Sequence, residues 1–125
     1  MKFLGTGSAL PKKVVSNDDL AQVMDTSDEW IRSRTGIGMR HIAVEETTTS
    51  MAVEAAEKAL ADAKISGCEI DLIIAGTISP DYIFPSLACE VQAAIGAKSA
   101  TAFDLSAGCS GFLFALATAD AYFRT

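Results

Sequence analysis

The chain has 125 residues, half of them hydrophobic, with ten basic and sixteen acidic residues and a formal charge of −6. That is enough chain for one ordinary domain and too apolar a composition for a disordered one. The acidic balance excludes a nucleic-acid surface, which needs clustered Lys and Arg. Three cysteines without a C-x-x-C, and His41 as the single histidine, argue against a metal site and against a disulfide scaffold. The N-terminus lacks the apolar stretch of a signal peptide, and no apolar run approaches the roughly 18 residues of a membrane span. The expectation is a reduced, cytoplasmic, soluble protein with no nucleic-acid or membrane partner.

The first punctuation is Gly5-Thr6-Gly7-Ser8-Ala9-Leu10-Pro11, where a short apolar strand would end in a turn. A phosphate loop is the alternative there, but no third glycine and no Gly-Lys-Ser/Thr follow. Ser16-Asn17-Asp18-Asp19 and Thr26-Ser27-Asp28-Glu29 each place an acidic residue three after a hydroxyl, the pattern of a capping box. They predict helices over residues 18–24 and 27–34, with Gly36 and Gly38 closing the second. Residues 39–44 read as a short extended segment.

Residues 50–63 give the clearest helical period, with Met51, Ala55, Ala59 and Ala63 spaced by four. Its alanines suggest close packing on a flat partner such as a sheet, and Glu54 and Lys58 form an i,i+4 pair. Residues 70–76 and 100–105 are short, nearly continuous apolar runs, as expected of strands covered on both faces. Residues 86–95 and 111–123 read as helices, the second almost wholly apolar and so placed between layers. Strands alternate with helices, which predicts a layered α/β fold with a mostly parallel sheet. The chain stops inside or just after the last helix, an odd place for a natural end.

Chemistry concentrates at Phe103-Asp104-Leu105-Ser106-Ala107-Gly108-Cys109-Ser110-Gly111-Phe112. A strand ends, tiny residues turn, and a cysteine sits at the mouth of an apolar helix. Free N–H groups and partial positive charge at a helix N-terminus favour a nucleophilic sulfur. The small neighbours leave room for a substrate and for donors to an oxyanion. The competing reading is a small buried hydrophobe, the usual fate of a free cysteine. His41, between Arg40 and Ile42, reads as a structural side chain at a strand edge.

Several segments closely resemble the β-ketoacyl-acyl carrier protein synthase III family of thiolase-fold condensing enzymes. They are Asp25-Thr26-Ser27-Asp28-Glu29-Trp30-Ile31, Arg34-Thr35-Gly36-Ile37, Arg40-His41-Ile42, Phe84-Pro85-Ser86, and Ala102-Phe103-Asp104-Leu105 running on to Cys109-Ser110-Gly111-Phe112. The resemblance covers essentially the whole chain, residues 1–125, as the N-terminal half of a layered α/β/α thiolase-like fold with a mostly parallel mixed sheet. It implies an enzyme that initiates fatty acid synthesis. Cys109 takes the acyl group of acyl-coenzyme A as a thioester, which is then condensed decarboxylatively with malonyl-acyl carrier protein.

By the same resemblance Trp30 stacks on the coenzyme's adenine, Arg34 lies near its nucleotide phosphate, and Thr26 makes a further coenzyme contact. A core tryptophan, a solvated arginine and a capping threonine are the plainer alternatives. Phe84 matches a residue that reaches the partner subunit's acyl pocket in a homodimer, or else anchors its loop within one subunit. No resident cofactor is implied. The family's catalytic histidine and asparagine belong to a second half, and neither residue type follows Cys109 here. The rival readings are a secondary-metabolite starter enzyme or acyltransferase of the same superfamily, and an inactive fragment or interaction module with a structural cysteine.

Overall fold

The computed structural model describes residues 2–124, which divide into two compact units: residues 10–46, and residues 2–9 together with 47–124. The smaller unit is an antiparallel pair, β1 (Lys13–Ser16) with β2 (Met39–Ile42). Between them run two short helices, α1 (Asn17–Ala21) and α2 (Asp28–Thr35). β1 was not expected from the sequence, because only Val14 and Val15 are apolar within it. Its partner strand, and not its own pattern, defines it. α1 is shorter than its predicted span, ending before Val23 and Met24, whose side chains are exposed.

The Ser16 capping box forms as read: its Oγ accepts from the Asp19 N–H at 3.1 Å and Asp19 accepts from the Ser16 N–H at 2.8 Å. The second box does not. Ser27, one residue later than expected, caps α2 by accepting from the Trp30 N–H at 3.1 Å, so Thr26 is not a cap. Gly36 closes α2 in the left-handed region with φ 73°.

Asn17 is the buried polar hub of this unit. Its amide donates to Asp28 Oδ1 at 2.8 Å and to the Ile37 carbonyl at 2.7 Å, while its Oδ1 accepts from the Arg40 guanidinium. Arg40 also donates to the Val15 carbonyl at 3.0 Å. Together these two side chains tie both strands to α2, with every polar atom of the Asn17 amide satisfied. The Asn17 amide, and behind it Arg32, holds the Asp28 carboxyl below its usual range. Glu46 accepts from the N–H groups of Lys12 and Val44, which pull its carboxyl down to about 2. His41 Nδ1 lies 2.6 Å from the Pro11 carbonyl, to which it donates from the exposed strand edge.

The larger unit contains α3 (Thr48–Ala63), β3 (Leu72–Gly76), α4 (Leu87–Ile95), β4 (Thr101–Leu105) and α5 (Gly111–Arg124). β3 and β4 are parallel, in register from Leu72 opposite Thr101 to Gly76 opposite Leu105, and joined through α4. Successive strand residues face opposite ways. Ile73 lines one space with Val91 and Ile95 of α4, whereas the Phe103 ring lies 6.2 Å from Tyr122 of α5. The two helices therefore cover opposite faces, and this is the layered α/β arrangement that the alternation of elements predicts. Leu87, Ala88, Val91, Ala97 and Ala100 form the buried core. The strands are half-buried, less than their apolar runs suggest, because each edge of the pair lacks a neighbouring strand among the described residues.

α3 does not lie on a sheet as its alanines suggested. Its main partners are α4 and the segment 2–9, which contains no strand. The glycines in that segment serve close approach and not positive φ. A Cβ on Gly7 would stand 2.0 Å from the Ala55 carbonyl oxygen, and one on Gly5 would stand 2.5 Å from that of Ala59. The Thr6 N–H donates to Asp62 at 2.9 Å, and Lys58 reaches both Glu54 at 2.6 Å and the Ser8 carbonyl at 2.9 Å. The alanine stripe accommodates a backbone.

α5 starts where the sequence places it, and its circumference is as apolar as it reads. Only one side is covered. Phe112, Leu113 and Phe123 are 67%, 68% and 77% exposed.

Candidate active site

β4 delivers the chain to the cysteine. The Thr77 N–H donates to the Leu105 carbonyl at 3.2 Å, extending the parallel ladder to the strand ends. Ser106 and Ala107 follow, and Gly108 adopts φ 51°, which a residue without Cβ reaches most easily. Gly108–Ser110 is a single 3-10 turn, closed by the Ser110 N–H donating to the Ala107 carbonyl at 3.1 Å. Cys109 sits in the middle of that turn, two residues before Gly111, the first residue of α5, and is exposed.

The other two cysteines are placed differently. Cys89 is half-buried with its sulfur 3.8 Å from the Ala102 carbonyl, and Cys68 lies in a surface turn 2.8 Å from Ser66 Oγ. Cys109 alone combines exposure, small neighbours and a place at the start of a long helix. Among the described residues Cys109 is therefore not buried. Such a thiol can attack a thioester carbonyl.

In the smaller unit, Thr26 and Trp30 line one concavity of about 330 Å³ with Asp25 and Ser27. The indole is 53% exposed, so it is not a core tryptophan. The Arg34 guanidinium carbon lies 4.5 Å from the Trp30 ring centroid, a cation–π contact one helical turn along. The structure thus brings three of the residues singled out from sequence into one surface feature. Asp25 is an addition that sequence reading missed.

Phe84 lies between β3 and α4 and is 90% exposed, beside Ile83 at 99%. Within the described residues it anchors nothing. The ends of its loop are well held. Asp104 of β4 accepts from the N–H groups of Leu87 at 2.9 Å and Ala88 at 2.8 Å, the first two of α4. Asp81 accepts from those of Thr48 at 3.1 Å and Thr49 at 2.7 Å, the first two of α3. These bonds, Thr49's first, draw the Asp81 carboxyl down to about 2. Neither role was read from sequence, because each carboxylate serves a helix distant along the chain. Among the described residues, no cluster of three or more His, Cys, Asp or Glu side chains could hold a metal ion, and no helix is long and apolar enough to cross a membrane.

A parallel strand pair with a helix on each face, the second helix entered through a small-residue turn, is a thiolase-like layered arrangement. The fold comparison agrees: 3-oxoacyl-[acyl-carrier-protein] synthase III from Aquifex aeolicus superposes with a TM-score of 0.95 at 54% identity, over 98% of this chain and 40% of that one. Over nearly its whole length the chain is similar to β-ketoacyl-acyl carrier protein synthase III enzymes. It is 57% identical to β-ketoacyl-[acyl-carrier-protein] synthase III 1 of Bacillus anthracis over 98% of its own length, and spans 40% of that relative. The priming β-ketosynthase of the R1128 polyketide pathway is also similar, at 40% identity and a TM-score of 0.88, over 92% of this chain and 35% of that one. No family model matches the chain.

Proposed function

We propose that the complete protein is an acyl-coenzyme A-dependent condensing enzyme that initiates fatty acid synthesis. The observation that carries this reading is the exposed Cys109 turn, in a chain similar to these enzymes. The Cys109 thiolate attacks the thioester carbonyl of acyl-coenzyme A, a new C–S bond forms, and coenzyme A leaves as the thiol after taking up a proton. Malonyl-acyl carrier protein then loses carbon dioxide. The electron pair of the broken C–C bond becomes an enolate, which attacks the Cys109 thioester and expels the cysteine thiolate. The product is a β-ketoacyl-acyl carrier protein.

The family's histidine and asparagine, which would stabilise the thioester oxyanion and the enolate, have no counterpart after Cys109 in these residues. The reaction is therefore assigned to the complete protein and not to these 125 residues alone. No resident cofactor is required, and a cytoplasmic homodimer is the proposed state. Turnover of several acyl-coenzymes A with malonyl-acyl carrier protein tests the reading. A β-ketoacyl product on the carrier is the expected result. Acyl transfer without decarboxylation would place the protein instead among the acyltransferases of the superfamily.

Coenzyme binding is proposed at Thr26, Trp30 and Arg34. The indole offers a flat stacking surface and the guanidinium a fork for phosphate. Trp30→Ala and Arg34→Ala should each weaken coenzyme A binding, but only the Arg34 effect should shrink strongly with added salt, because screening acts on charge. Since Arg34 leans on the Trp30 ring, the double variant should lose less than the two single losses added together. Titration at low and high ionic strength reads both effects; equal salt dependence in the two single variants would count against these roles.

A further inference from the structure

The connection from β3 to α4 presents Tyr82, Ile83 and Phe84 outward, all of them exposed, yet it is gripped on both sides. On one side Asp81 bonds the first two N–H groups of α3, and the Thr48 hydroxyl donates to the Ser79 carbonyl at 3.2 Å. On the other side Leu87 and Ala88 are bonded to Asp104, which stands on β4 five residues before Cys109. Leu87 and Ala88 are themselves core residues. A helix N-terminus has N–H groups without intrahelical partners, so a carboxylate there makes two charge-assisted bonds in a fixed geometry. The apolar tip is thus suspended between two such grips. One of them belongs to the strand that ends at the nucleophile.

We infer that Asp81 and Asp104 are positioning residues that hold the 82–84 tip in fixed register with the Cys109 turn, and so set which acyl chain lengths are accepted. The chain-length clause rests on the condensing-enzyme reading above, in which Phe84 reaches an acyl pocket of the partner subunit. The physical reason is reach. A large side chain at the end of an unsupported loop samples many positions, whereas a selective pocket wall must stay in one. Asn is the informative replacement because it keeps the shape of Asp. It retains one acceptor and turns an NH2 group toward the second N–H, so one bond becomes a donor facing a donor.

The test uses the complete protein with Asp81→Asn, Asp104→Asn and, as a control, Asp62→Asn. The control weakens the same type of bond, to the Thr6 N–H, at the far end of α3. Amide hydrogen exchange over residues 79–86 should accelerate roughly tenfold in the first two variants and stay unchanged in the control. The ratio of kcat/KM for a short and a long acyl-coenzyme A should shift by roughly tenfold in the same two, since small misplacements near a reacting centre cost this much or more. If Asp104→Asn does not fold, Asp81→Asn decides, and Thr48→Ala, which removes only the hydroxyl bond to Ser79, tests that same α3-side grip with a smaller effect.

Unchanged exchange in both variants would overturn the grip. Faster exchange with an unchanged ratio would overturn the link to chain length. A wild-type protein that turns over no acyl-coenzyme A would overturn the reaction and the chain-length clause together, and the exchange result would then judge the grip alone.

Discussion

Cys109→Ser in the complete protein should abolish acyl transfer from acyl-coenzyme A, by on the order of 10⁴-fold or more, as expected when a nucleophile is removed. A serine hydroxyl is far less ionised than a thiol at neutral pH, and the 3-10 turn offers it no histidine among the described residues of its own unit. Cys68→Ser and Cys89→Ser should leave transfer near the wild-type rate. The Cys89 sulfur is half-buried against the Ala102 carbonyl, and Cys68 sits in a separate surface turn beside Ser66. Intact-mass measurement after incubation with an acyl-coenzyme A reads the covalent adduct directly. Acylation of the serine variant at the wild-type rate would remove Cys109 from the mechanism.

The 125-residue chain expressed alone should aggregate or stay loosely packed. α5 exposes Phe112, Leu113, Phe114 and Phe123, and the β3–α4 connection adds Ile83 and Phe84. Soluble monomers usually tolerate only a few hundred Å² of contiguous apolar surface. Each large side chain left uncovered forgoes about 1.5–3 kcal/mol of burial. A few of them match the whole net stability of a small domain. Sedimentation and calorimetry on residues 1–125 check this, and a monodisperse monomer with one cooperative transition would show the expectation to be wrong.

Sequence reading worked where a signal was local. The helix periodicity of α3, the Ser16 capping box, the Gly36 closure and the two parallel strands all depend on residues within one turn or one strand of each other. It failed where the partner was distant. β1 exists because β2 pairs with it, and the alanines of α3 meet a later helix and a glycine-bearing segment more than 40 residues earlier. The cap of α2 shifted by one residue because Ser27 and Thr26 are equivalent in type, and only backbone direction decides between them. The cysteine and its turn were legible from small residues placed between a strand and an apolar helix. Asp81 and Asp104 were not, because a carboxylate that caps a helix across the fold looks like any other acidic residue in the sequence.

The backbones of Gly76 and Gly111 come into direct contact, one ending β3 and the other opening α5. A methyl on Gly76 would meet the Gly111 carbonyl carbon at 3.1 Å, while one on Gly111 would stand 3.5 Å from the Gly76 Cα. Because β4 is in register with β3, that single strand governs both where the cysteine-bearing turn departs and where it lands. The turn therefore spans a gap of constant width, gauged by two main chains with no side chain between them. The gauge is asymmetric. The fit is tight at position 76 and ordinary at position 111, so drift at the strand's end would press on the start of the helix and on the turn that carries the sulfur.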